Sequence, residues 1–215
     1  AGLSTGTGDV AESVVDPDMV ALFEEFLGKE DSEMTVSSAE MRPSMQPYHY
    51  VVRDTEQKGL CLHNGRLVAT SLQGANASQE GGCPGWGRGG TPTHGCSHPS
   101  HPPSLFVEPI SVVPNRHLER RRCPLIVGIR GGTQALSCGT GPEPQLKLED
   151  VGLLDLFSRG AEAIPYTFYK TFGGSTHTFE AAAFPGRFLS TAPGLGEALA
   201  LAPPPAITAF YLRRK

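Results

Sequence analysis

A chain of 215 residues with 39% hydrophobic content is long enough to bury one sizeable core, and no stretch reaches the roughly 18 apolar residues that a membrane span needs. Its formal charge of −4 hides a division: residues 1–47 carry ten acids against two bases, residues 48–215 twelve acids against sixteen bases. A leader at −8 therefore precedes a body at +4. The opening "AGLSTGTGDVAESVV" has neither a basic start nor an apolar region, so no conventional secretory signal is expected. Cys61, Cys83, Cys96, Cys123 and Cys138 are odd in number and loosely spaced, which argues against a disulfide framework and for synthesis in the cytoplasm.

In chain order, "DPDMVALFEEFLG" predicts a short amphipathic helix: Asp16 can cap it, Pro17 suits its first position, and Met19, Val20, Phe23, Phe26 and Leu27 recur at helical spacing before Gly28. The polar, acidic "KEDSEMTVSSAEMRPSMQP" reads as a flexible linker or cleavable pro-segment, which puts a domain boundary near Pro47. Residues 1–47 are thus a disordered acidic leader or pro-segment holding one helix, and residues 48–215 are the main domain.

From Tyr48 on, short apolar runs alternate with turn signals. "YHYVVRD" is followed by "GLCLHNGRLVATSL", where Asn64-Gly65 predicts a type I′ hairpin. A Gly-, Pro- and His-rich stretch at about 73–104 reads as a disordered insertion. Its Cys83, His94, Cys96, His98 and His101 lack the compact pairs of a structural zinc site, so no metal or other cofactor is expected. Asn76 heads a glycosylation sequon that a chain without a signal would not normally expose to the machinery.

Beyond the insertion come "LFVEPISVV", "CPLIVGIR", "QALSC" and "QLKLE", then the brief helical piece "DVGLLDLF". "YTFYKT" and "THTFEAA" form a hairpin about Gly173-Gly174, and "RFLST", a weak "EALAL" and "ITAFYLR" complete the chain. In "FEAAAFPGRFLST" the alanines end a strand and Pro185-Gly186 turns into the next. Twelve short strands in three groups of four imply an all-β fold, the β-trefoil.

"ISVVPNR", "PLIVGIRGGTQALSCGTGPEPQLKLEDV", "YTFYK" and "FEAAAFPGRFL" resemble the matching segments of the interleukin-1 family of cytokines, above all the antagonist branch of its interleukin-36 group. The resemblance covers nearly all of residues 48–211 outside the insertion. It implies a monomeric, non-enzymatic β-trefoil secreted without a signal peptide, whose partner is an immunoglobulin-like interleukin-1-type receptor ectodomain, the interleukin-36 receptor by preference. It also implies that Val52-Arg53-Asp54 is the group's aliphatic-x-Asp processing motif, with the active form beginning near Pro43 or Ser44.

In this family the loops after the fourth and eleventh strands decide receptor engagement and co-receptor recruitment. The first corresponds here to Pro114–Pro124, with Asn115, Arg116, His117, Leu118, Glu119, Arg120, Arg121 and Arg122 as candidate receptor contacts. Its arginines read as a basic knob that could meet an acidic receptor surface or a sulfated glycan. The second holds Pro203, Pro204 and Pro205, which cannot donate ladder hydrogen bonds and leave the eleventh strand in doubt. So short and stiff a loop leans toward antagonism. An agonist of the same family, or an intracellular or glycan-binding trefoil, stand as alternatives. No histidine sits in a nucleophile-elbow, zincin or phosphate-loop pattern, and arginines without interleaved aromatics do not make a nucleic-acid site.

Overall fold

The computed structural model describes residues 16–28, 45–71 and 107–215. The insertion at 73–104 with its cysteines and histidines, the Asn76 sequon and the junction at Pro43 and Ser44 lie outside the described residues. The first trefoil unit comprises β1 (Tyr48–Asp54), β2 (Lys58–His63), β3 (Arg66–Ser71) and β4 (Ile110–Pro114). The second comprises β5 (Pro124–Ile129), β6 (Gln134–Ser137), β7 (Lys147–Glu149) and β8 (Thr167–Phe172), with α2 (Leu153–Arg159) between the last two. The third comprises β9 (His177–Ala181), β10 (Phe188–Ser190), β11 (Glu197–Ala198), β12 (Ala200–Ala202) and β13 (Phe210–Arg214).

Pairing closes a barrel. β1 pairs β4, β4 pairs β5, β5 pairs β8, β8 pairs β9, β9 pairs β13, and β13 returns to β1, every pair antiparallel. The second strand of each unit then starts a hairpin that leaves this ring: β2 with β3, β6 with β7, β10 with β12. Closure removes the exposed edges that an open sheet would carry. Inward-pointing Val52, Ile110, Val127, Ile129, Phe179 and Phe210 fill the barrel, all 5% exposed or less. The predicted hairpin is present, with Asn64 at φ 49° and Gly65 at φ 75°, the two positive values that a type I′ turn demands.

Twelve strands were expected and thirteen are present among the described residues, because the doubtful eleventh is broken in two. β11 pairs β3, whereas β12, one residue later, pairs β10. Leu199 between them is buried and its N–H donates to Leu67 O at 2.8 Å, so the chain changes partner about that side chain. The three prolines follow β12 and end it, since none carries the N–H that would extend the ladder.

The leader helix is real and docked. α1 (Pro17–Leu27) is capped by Asp16, whose Oδ1 accepts from Asp18 N at 3.1 Å, and it buries Met19, Leu22, Phe23 and Phe26. An isolated helix of this length is marginal in water. Burial of four large apolar side chains, each worth about 1.5–3 kcal/mol, holds it in place against β4 and α2, where Phe26 meets Phe157 edge-on with centroids 5.3 Å apart.

Candidate functional site

The loop from β4 to β5 is organised from within by Asn115. This side chain is 1% exposed; its Nδ2 donates to Thr167 Oγ1 at 2.9 Å, its Oδ1 accepts from His117 N at 2.9 Å, and its own N–H donates to Pro124 O. Asn115 therefore corrects the sequence reading: it shapes the loop and has no surface to offer a partner. Arg116, His117, Glu119, Arg121 and Arg122 are exposed, and Leu118 and Arg120 are half-buried. A 3-10 turn at Arg120–Arg122 closes the loop, with Cys123 in the left-handed region at φ 51°.

The arginines do not form an open basic knob, because each is engaged by the chain itself. Arg116 donates to Ser158 O at 3.2 Å and lies over Phe157. Arg120 donates to Gly28 O at 2.9 Å and lies 5.7 Å from the Phe23 ring centroid. Arg121 pairs with Glu119 at 2.9 Å, and Arg122 pairs with Glu180 at 3.0 Å while stacking 3.7 Å over Tyr169. Arg121 and Arg122 are thus neutralised by carboxylates, which lessens the positive charge that a sulfated glycan could meet.

The other end of α1 rests on a second group that sequence reasoning missed. Lys170, 5% exposed, pairs with Asp16 at 2.5 Å, and His177 Nδ1 lies 3.8 Å from the same carboxylate with no hydrogen-bond partner among the described residues. Burial pushes the Asp16 carboxyl up, but the hydrogen bond and charge of Lys170 outweigh it and hold the group below the usual range. Burial, followed by the charge of Lys170, lowers His177 to about 4, so it is neutral at physiological pH. Further along, Arg214 lies 3.6 Å from Asp18, and Tyr48 donates to Glu25 at 2.8 Å. One signal was available: Lys170 has the inward phase of Phe168 in "YTFYK", and a lysine there needs an acidic partner.

Val52-Arg53-Asp54, at the end of β1, carries a buried carboxylate. Val52 is 3% exposed and lines the barrel; Asp54 is 1% exposed. Asp54 Oδ1 accepts from Glu56 N and Lys58 N, both at 2.9 Å, and Oδ2 accepts from Thr191 Oγ1 at 2.6 Å. Lys58 Nζ, also buried, pairs with Asp54 at 3.4 Å and donates to Ala192 O. The pair fixes the β1–β2 turn onto the third unit through Thr191 and Ala192. Pro203, Pro204 and Pro205 are exposed at the turn after β12, beside the Thr191–Ile207 bridge. Among the described residues no hydrogen bond, ion pair or ring contact joins that turn to the arginine loop. Among the described residues Cys61, Cys123 and Cys138 form no disulfide; burial raises the Cys138 thiol to about 12, which keeps it protonated and unreactive.

The family sequence model described as Interleukin-1 / 18 matches residues 108–201. The human interleukin-36 receptor antagonist protein is 43% identical over 170 residues, covering 76% of this chain and 92% of its own. The human interleukin-1 family member 10 is 45% identical over 38% of this chain and 55% of its own, and the human interleukin-1 receptor antagonist protein 30% identical over 83% and 86%. Among solved structures, chicken interleukin-1 beta aligns with a TM-score of 0.57 at 22% identity, covering 78% of this chain and 96% of its own. Interleukin-36alpha aligns with a TM-score of 0.54 at 21% identity, covering 83% and 99%, which supports the shared fold. These relatives are cytokines and not enzymes, and the identity extends over nearly the whole length of the interleukin-36 receptor antagonist. The chain belongs to the interleukin-1 family of β-trefoil cytokines.

Proposed function

We propose that this cytokine acts outside the cell, binds an immunoglobulin-like interleukin-1-type receptor ectodomain, and blocks signalling, with the interleukin-36 receptor as its target. The observation that carries the reading is the near full-length identity to proteins named as receptor antagonists. The exposed side chains of the β4–β5 loop, Arg116, His117, Glu119, Arg121 and Arg122, together with the half-buried Leu118, are the candidate receptor contacts. The turn at Pro203–Pro205 supports antagonism, because three prolines present no side-chain donor and no backbone N–H to a second receptor.

In cells that carry the interleukin-36 receptor and a transcriptional reporter, the chain is expected to suppress the response to agonist and to give none alone. Activation by the chain alone would make it an agonist. Failure to bind any ectodomain of the receptor family would remove the receptor reading altogether.

Residues 1–47 are read as a pro-segment cut near Pro43 or Ser44, shortly before the barrel begins at Tyr48. N-terminal sequencing of the protein recovered from the medium of expressing cells should find a start at one of these residues. A start within the first turn of α1 or earlier would contradict it.

A further inference from the structure

The contacts beneath α1 have the composition of a binding groove. Its floor is apolar: α1 packs on β4, Phe26 meets Phe157, and Met19, Leu22 and Phe23 are buried on the same helix. Its rim is cationic and matches the helix at both ends. Lys170 meets the capping carboxylate of Asp16, Arg214 meets Asp18, and Arg120 donates to Gly28 O, where the terminal carbonyls of α1 concentrate negative charge. Tyr48 adds a hydroxyl donor to Glu25. The helix thus offers an apolar stripe flanked by acids, and the body offers an apolar floor flanked by bases, matching the opposite net charges of leader and body.

We propose that this surface is a binding groove for an acidic amphipathic helix, with α1 as its built-in occupant, and that cutting the chain within residues 29–44 leaves the leader bound. Cleavage breaks the covalent link and none of these contacts. Arg120 and Lys170 remain engaged until the helix dissociates, so covalent processing and uncovering of the groove are separate events. Dissociation is salt-sensitive at the rim and opposed by the apolar floor, which salt does not screen. The proposal concerns helix retention alone and holds whether or not the receptor reading does.

The test uses the full chain with a site for a specific protease placed within residues 29–44. After cutting at micromolar concentration, the leader should co-elute with the body on size exclusion, and the same cut in Phe26→Asp should release it. A fluorescent synthetic peptide of residues 16–28 should exchange into the cut wild-type protein, and a Phe26→Asp peptide should bind more than about tenfold more weakly. The peptide arm requires no substitution in α1 or the barrel of the folded chain. Prompt separation of the wild-type leader, or equal binding of the two peptides, would overturn the proposal.

Discussion

The two loops that the family resemblance singles out present opposite surfaces. The arginine loop between β4 and β5 is rich in polar groups, yet nearly all of them are used by the chain: Asn115 inside the loop, Arg116 on α2, Arg120 on α1, Arg122 on Tyr169 and Glu180. The proline turn after β12 is exposed and has almost nothing polar to offer. A count of charges therefore misjudges both. What the first loop displays depends on what the leader helix takes from it, and what the second displays is set by the missing N–H groups of Pro203, Pro204 and Pro205.

The comparison can be broken most severely at Asn115. Asn115→Ala removes the donor to Thr167 Oγ1, which keeps its own bond to Ala163 O, and the acceptor of His117 N–H, and should cost about 2–3 kcal/mol in urea unfolding. A change below about 0.5 kcal/mol would show that the loop is held by something else.

Acid should act at the N-terminal end of α1. The folded pKa of His177, about 4, lies below the unfolded value of roughly 6.5. The unfolded state then takes up a proton before the folded one does, so this contribution is complete above pH 6.5 and is lost as pH falls toward 4. The loss should be on the order of 2 kcal/mol, read by denaturant titrations across that window, and His177→Gln should flatten it. A slope unchanged in that variant would assign the loss to other groups.

Smaller effects sharpen the contrast. Arg120→Ala removes a ring contact and a bond to the end of α1, and should cost about 0.5–1 kcal/mol, seen as faster amide exchange in α1 with the barrel amides unchanged. Pro203→Ser, at an exposed site without a side-chain partner, should stay within about 0.5 kcal/mol in thermal unfolding. A large loss there would mean that the turn is held more firmly than its exposure suggests.

How much of this was legible in the sequence follows from the range of the forces involved. Local signals were reliable. Asn64-Gly65 gave its hairpin, Asp16-Pro17 and the apolar spacing gave α1, and "AAAFPGR" gave the turn after β9, where Arg187 N donates to Phe184 O at 3.1 Å. The split of the eleventh strand was visible only as weakness, because which partner each half takes depends on Leu199 and Leu67, 132 positions apart in the numbering. The loop residues were named correctly as a loop and misjudged as a charge patch. Glu180, Tyr169, Phe23 and Gly28, which neutralise or cover the arginines, come from other elements, and only the closed barrel brings them together. The docking of α1 was missed for the same reason, although an amphipathic acidic helix ahead of a basic body, with a lysine on the inward phase of β8, carried the necessary clue.

We propose, as the central claim, that the β4–β5 loop meets a receptor and that α1 restrains this loop through its hold on Arg120. Its most direct measurement is the affinity of the interleukin-36 receptor ectodomain for the intact chain and for the chain cut within residues 29–44 and stripped of its leader. The account predicts that removing the leader tightens binding by about tenfold or more, and that Arg121→Glu weakens the stripped protein without altering its stability. Equal affinity of the two forms, together with indifference to Arg121→Glu, would contradict it.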